Sequence, residues 1–207
     1  MNLYENCRLC PRNCSIDRTG GKIGFCGESS TIKAALASVH NWEEPPISGT
    51  KGSGTIFFTG CNLKCVFCQN YSISSEHSGK EISVERLSEI MLEQQARDVH
   101  NINLVTAVHF VPSVIKAVEK ARQNGLTIPI MYNSSGYEKA DTIKMLEGTV
   151  DIYLPDIKYF SSKLSAKYSS APDYFEYASA AVKEMHRQCG NVIFDENGIM
   201  QKGIIIR

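Results

Sequence analysis

Residues 60–70 read GCNLKCVFCQN, which sets Cys61, Cys65 and Cys68 within eight residues, with three residues between the first pair and two between the second. Thiolates at such spacing suit zinc or iron–sulfur chemistry. A structural zinc ion is closed by four ligands, whereas this loop offers three. A [4Fe-4S] cluster held by three thiolates keeps one iron without a protein ligand, free to bind a small molecule through oxygen and nitrogen. The alternative is zinc completed from a distance by His77 or an N-terminal cysteine.

Four further cysteines, Cys7, Cys10, Cys14 and Cys26, lie in CRLCPRNCSIDRTGGKIGFCG. Four thiolates fit a structural zinc site and a second iron–sulfur cluster, with merely structural thiols as the plainer alternative: zinc would brace the fold, a cluster could relay electrons. Cys189 falls on the apolar side of a helix and reads as core. No apolar run approaches the ~18 residues of a membrane span, and MNLYENCRLC lacks the basic-then-apolar layout of a signal peptide. A cytoplasmic protein is therefore expected, and in that reducing compartment tightly spaced cysteines favour metal or cluster binding over disulfides. Lys+Arg and Asp+Glu both number 22, so no net charge draws the chain to nucleic acid or an anionic membrane.

The elements that must position these groups alternate along the chain. The first forty or so residues are rich in Cys, Gly and polar residues without a long periodic segment, and PPISGTKGSG (45–54) marks a boundary. Residues 1–50 are expected to form a four-cysteine metal or Fe-S module with its linker, and 51–207 a second unit. Strands are expected at TIFFT (55–59), INLVT (102–106), TIPIMY (127–132) and VDIYL (150–154). Helices are expected over 83–98 with Ser83 as cap, over 113–124 ending at Gly125, and over 137–147. The longest helix is expected to start at Asp173, with Glu176 reaching back in a capping box, and to close at Gly190. After a turn at FDENGI, IIIR opens a further strand. Such alternation predicts an α/β fold, a parallel sheet covered by helices. A final apolar strand with no helix to cover it predicts that a C-terminal part is missing.

The Cys-x3-Cys-x2-Cys run, with Phe67 just before the last cysteine, resembles the signature of the radical S-adenosylmethionine (SAM) superfamily. More closely, the N-terminal cysteine run followed by GTIFFTGCNLKCVFCQN looks like proteins related to the pyruvate formate-lyase activating enzyme. The resemblance covers essentially the whole chain. It implies a partial parallel (β/α) barrel of the radical SAM type behind a small N-terminal Cys-rich module. It also implies that Cys61, Cys65 and Cys68 hold a [4Fe-4S] cluster whose open iron chelates the amino and carboxylate groups of SAM. One electron then cleaves a carbon–sulfur bond, giving methionine and a 5′-deoxyadenosyl radical that takes hydrogen from a substrate. Phe67 would lie near the adenine.

Members of the superfamily usually carry a Gly-Gly-Glu-like segment after the second strand. Here that place reads TAVH (106–109), a departure that leaves a backbone carbonyl or His109 to meet the amino group. Asn133 and Ser134, in NSSG after the third strand, fall where activating enzymes place a polar stretch. Asp156 and Lys158, in PDIK after the fourth, preserve an Asp-x-Lys pattern whose lysine resembles one that contacts the cofactor's carboxylate. The implied activity is that of an activating-enzyme-like oxidoreductase or lyase, with a glycyl-radical enzyme as protein substrate and a flavodoxin or ferredoxin as electron donor.

Plainer alternatives stand beside these. The chain could be a noncatalytic iron–sulfur or zinc protein serving electron transfer or structure. His109 could be a satisfied structural histidine, and Asp156 and Lys158 a surface ion pair. Trp42 in HNWEEPP is expected to be a packing anchor between the small module and the barrel.

Overall fold

The computed structural model describes residues 2–207. Its strands are β1 (Ile32–His40), β2 (Ser53–Phe58), β3 (Lys80–Ile82), β4 (Ile102–Val105), β5 (Ile130–Ser134), β6 (Ile152–Pro155), β7 (Ile193–Phe194) and β8 (Met200–Ile204). Its helices are α1 (Pro45–Ser48), α2 (Tyr71–Ser74), α3 (Val84–Gln95), α4 (Val111–Gln123), α5 (Ala140–Lys144), α6 (Ser162–Ser169) and α7 (Tyr174–Cys189). The strands form one sheet in the order β3-β1-β2-β4-β5-β6-β8-β7. Strands β2, β4, β5, β6 and β8 are parallel, while β1, β3 and β7 add antiparallel flanks. This mixed, mostly parallel α/β sheet is compatible with a partial barrel.

A parallel strand is covered on both faces and therefore reads as a nearly continuous apolar run. INLV and IYLP do so, and β6 is buried along its whole length. Toward the helices, Ile56, Leu104 and Tyr132 meet Leu87 and Met91 of α3 and Val114, Val118 and Ala121 of α4. On the other face Ile47, Met131, Ile152, Leu154 and Met200 make a smaller core.

Strand β1 was not expected. IKAALASVH carries small residues and a half-buried pattern with no clean alternation, so only its pairing with β2 and β3 reveals it. The sheet thus recruits a segment of residues 1–50. Strand β5 starts at Ile130 rather than at 127, because Pro129 has no N–H to donate and Gln95 Oε1 takes the N–H groups of Thr127 and Ile128 at 2.7 and 3.3 Å. Helix α4 starts two residues early, at Val111, with Pro112 in the first turn, where a missing donor costs nothing.

Helix α5 covers only Ala140–Lys144 of the expected 137–147, since Glu138 is turned to Ser134 and Tyr132 instead of entering a helix. Helix α6 was missed; Ser161 caps it by accepting from Leu164 N at 3.4 Å. The capping box at Asp173 does not form: Asp173 Oδ1 takes the Tyr137 hydroxyl at 2.5 Å instead. The turn at FDENGI joins β7 to β8, so β8 has a strand on both sides, and α7 also contacts it.

Candidate cofactor site

Because five strands run parallel, the loops after β2, β4, β5, β6 and β8 share one rim, the end at which βα folds gather their sites. They enclose a cavity of about 620 Å³. Cys61, Cys65, Phe67 and Cys68 line it from the loop after β2, Thr106 from β4, Asn133 and Ser134 from β5, Asp156 and Lys158 from beyond β6, and Arg207 from beyond β8.

The cysteine loop leaves β2 through Gly60, at φ +75°, where a Cβ would come within 2.6 Å of the Cys26 carbonyl oxygen. That carbonyl accepts from Cys61 N–H at 3.3 Å, so only a glycine lets the two backbones approach. Thr59 is held from two sides. Its hydroxyl donates to buried Glu28 at 2.8 Å, and its carbonyl accepts from His109 Nε2 at 2.7 Å. A carbonyl can only accept, so Nε2 carries the His109 proton; Nδ1 is buried without a partner. Burial lowers the His109 pKa to about 3, keeping the ring neutral.

The three sulfurs meet hydrogen-bonding groups. Leu63 N–H approaches Cys61 Sγ at 3.4 Å, the Ser169 hydroxyl donates to Cys65 Sγ at 2.9 Å, and Cys68 Sγ lies 3.3 Å from Ser74 Oγ. Burial pushes the Cys61 thiol up to about 12 and raises that of Cys65, so both are protonated when free; metal binding must displace those protons. Among the described residues no three Cys, His, Asp or Glu side chains converge closely enough to grip a single ion. The donor set suits a thiolate-bound cluster: three sulfurs border the cavity, each beside a group that can donate to it, and no fourth cysteine lines it.

Across the cavity, Asp156 is paired with the Lys158 ammonium and with Arg207 Nε at 3.1 Å, while Arg207 Nη2 donates to Asn133 Oδ1 at 2.9 Å. The Tyr174 hydroxyl lies 2.7 and 2.9 Å from the carbonyls of Ser135 and Asp156 and accepts from Lys158 N–H at 3.0 Å. Thr106, β-branched and at φ +59°, is backbone strain stored at the rim.

Eight expected residues therefore come together: Cys61, Cys65, Cys68, Phe67, Asn133, Ser134, Asp156 and Lys158 all line the cavity. His109 does not. It is turned into the interior, where it braces Thr59, because a neutral ring of that size fits the packed layer against Phe110. Trp42 is no packing anchor: it is 89% exposed on the cavity's rim. Cys189 is core, while Cys7, Cys10 and Cys26 are buried outside the cavity and Cys14 is half-buried. Arg207, Glu43 and Ser169 were missed. A charged residue straight after the last strand was the available signal for Arg207, by the logic that finds Lys158; nothing local marks Ser169.

Three cysteines at the strand-end rim of a mostly parallel α/β sheet form the kind of corner at which proteins keep a metal cluster accessible to a small ligand. The chain matches the Radical SAM superfamily over residues 55–195 and belongs to it. That membership implies a [4Fe-4S] cluster and SAM. The uncharacterized protein MJ0674 of Methanocaldococcus jannaschii is 31% identical over 183 residues, which cover 84% of this chain and 52% of that protein. The uncharacterized protein MJ0808 of the same organism is 27% identical over 169 residues, covering 73% and 49%. The chain thus spans about half the length of these curated relatives. Among the described residues no helix is long and apolar enough to cross a membrane.

Proposed function

We propose that this chain uses Cys61, Cys65 and Cys68 to hold a [4Fe-4S] cluster and cleaves SAM reductively in the cavity beside them. The observation that carries this is the convergence of three thiols, an aromatic ring and a set of strand-end polar groups on one cavity. When bound, the cluster supplies the electron that splits SAM into methionine and a 5′-deoxyadenosyl radical. The chain's own work is positioning. Lys158 offers an ammonium to the methionine carboxylate, and Arg207 fixes Asp156 and Asn133 so that their oxygens can take up amino and ribose donors. Phe67, 55% exposed and 6.5 Å from the Tyr159 ring, presents a face on which adenine can stack. Tyr174 ties the β5 and β6 loops together and holds that geometry.

The radical's target is, in this reading, a protein such as a glycyl-radical enzyme, and the electron comes from a flavodoxin or ferredoxin. Support for a large substrate is that two exposed aromatic rings, Trp42 and Phe67, border the cavity.

The test is anaerobic reconstitution with iron and sulfide, then addition of SAM and dithionite, following methionine and 5′-deoxyadenosine by chromatography. Both products are expected in equal amounts. Cys65→Ala should lose the brown charge-transfer absorbance and all cleavage, and Lys158→Met should raise the SAM dissociation constant about tenfold. An intact cluster that neither binds nor cleaves SAM would leave a noncatalytic iron–sulfur protein as the better description.

A further inference from the structure

Arg18 is fully buried, yet none of the ion pairs among the described residues includes it. Its Nε donates to the Glu28 carbonyl at 3.1 Å, Nη1 to the His109 carbonyl at 2.8 Å and Nη2 to the Ser29 carbonyl at 2.5 Å. Tyr4 and Phe110 place their rings 5.1 and 5.9 Å from the guanidinium carbon. Carbonyls and ring faces satisfy hydrogen bonds, but they leave a full positive charge out of water. A guanidinium cannot shed its proton, and a buried charge without a counter-charge is strongly unfavourable. Glu28 makes no ion pair with it: only its backbone carbonyl meets the guanidinium, and its carboxylate is turned to Thr59 and His77.

The remaining acidic neighbours are thiols. Arg18 Nη1 lies 3.4 Å from Cys7 Sγ, and a Cβ built on Gly24 would sit 3.5 Å from Cys14 Sγ and 3.6 Å from Cys26 Sγ. Neutral thiols do not balance a guanidinium. Four thiolates on a metal centre do: with zinc(II), or with the usual oxidised [4Fe-4S] core, the assembly is a dianion. We propose that Cys7, Cys10, Cys14 and Cys26 bind a thiophilic metal centre as thiolates, and that Arg18 is its built-in counter-cation. The site is separate from the cavity, and its existence does not depend on SAM cleavage.

A lone zinc ion needs its thiolates within about 4 Å of one another, since each Zn–S bond is about 2.3 Å. A cluster spreads its thiolates over several iron atoms. The four thiols fit either centre, and counting the bound metal decides between them. The centre also reaches the open site through backbone, because Cys26 is the residue whose carbonyl receives Cys61 N–H. Arg12, from the same module, adds hydrogen bonds to the carbonyls of Asn62 and Ser170 at 2.8 and 2.5 Å.

The experiment uses a background in which Cys61, Cys65 and Cys68 are all alanine, so that any tightly held metal belongs to the module. Iron, sulfide and zinc are counted after anaerobic purification. About four irons with four sulfides, or about one zinc, per chain is the expected result, and either supports the tetrathiolate site. In that background Arg18→Gln should speed metal loss to a chelator by about 10–100-fold, as losing a group that hydrogen-bonds a metal ligand does, while Arg18→Lys should retain most of the affinity.

Arg18→Met separates charge compensation from packing. It should lower the melting temperature of the metal-loaded protein and leave unchanged or raise that of the metal-free protein, where the stranded charge has gone. A merely structural arginine would lower both. Absence of bound metal in the triple-alanine background, or equal chelator resistance with and without Arg18, overturns the proposal.

Discussion

Cys61, Cys65 and Cys68 border a cavity beside polar strand ends, whereas Cys7, Cys10 and Cys26 are buried and share their interior with a guanidinium. A site meant to chelate a small molecule has to keep part of its metal coordination and some cavity free, and its charges can be matched by the ligand and by water. A site closed mostly by protein has less such help, so under the proposal above the counter-charge is encoded in the chain, in Arg18. The two sets meet at one seam: Gly60 and Cys61 against the carbonyl of Cys26. Openness and closure are thus achieved side by side, with the closed module serving as a wall for the open loop.

The largest effect should come from forcing that seam apart. Gly60→Ala combines a left-handed backbone at φ +75° with a Cβ 2.6 Å from a backbone oxygen that cannot swing away. A loss of about 3–5 kcal/mol is expected in urea unfolding, together with poor iron incorporation at both cysteine sets. Gly125→Ala is the control: its φ is +99°, but nothing lies within 4 Å of the added carbon, so about 1–2 kcal/mol is expected. Equal losses would mean that the seam is loose and the two cysteine sets are independent.

Next in size is the brace behind the seam. His109→Ala leaves the Thr59 carbonyl without its donor and should cost about 1–3 kcal/mol. The pH dependence sharpens this. The folded pKa of His109, about 3, lies below its ordinary value, so the unfolded chain binds more protons between pH 3 and pH 6.5. This contribution to stability is complete above pH 6.5 and declines as the solution is acidified toward pH 3. Glu138 has the opposite sign. Burial raises its pKa to about 8, so the folded chain binds the extra proton and stability falls as pH rises from about 4.5 to 8. Chemical unfolding across pH 4–9 should show a stronger decline on the acid side for wild type than for His109→Ala, and a weaker decline on the alkaline side for Glu138→Gln.

The same residues explain what could be read without coordinates. Strands and loops that carry chemistry obey local rules: apolar runs for buried parallel strands, polar residues just beyond them, three cysteines on one turn. Asn133, Asp156 and Lys158 stand out at strand ends for that reason, while their expected roles, and Phe67 altogether, rest on the family resemblance. His109 obeyed the rule too, following a strand, yet its side chain turns inward, because the short 3-10 turn at Val108–Phe110 rotates it beneath Thr59. Contacts between distant segments leave no local mark. Ser169 reaches Cys65 across 104 residues, Asp173 gives up a helix cap to Tyr137, and β1 is a strand chiefly because β2 lies beside it. Arg18 looks like any basic residue in a polar stretch, and only complete burial shows its charge to need a partner.

The smallest effect is expected at Trp42, and it separates a wall from a hinge in the comparison of the two cysteine sets. If the closed module were pinned to the barrel by that ring, Trp42→Ala would remove a large buried surface and cost about 3–5 kcal/mol. The ring is 89% exposed, and the clasp is made by Arg12, whose guanidinium carbon lies 3.8 Å from the centroid of Phe25 and 5.0 Å from that of Tyr137 while its nitrogens bond Asn62 and Ser170. Trp42→Ala should therefore change urea stability by no more than about 0.5 kcal/mol. Arg12→Ala, which strands no buried anion but deletes both hydrogen bonds and both ring contacts, should cost about 1–3 kcal/mol. A reversed order in the same titration would put the anchor back at Trp42 and require the module to swing onto the mouth of the cavity.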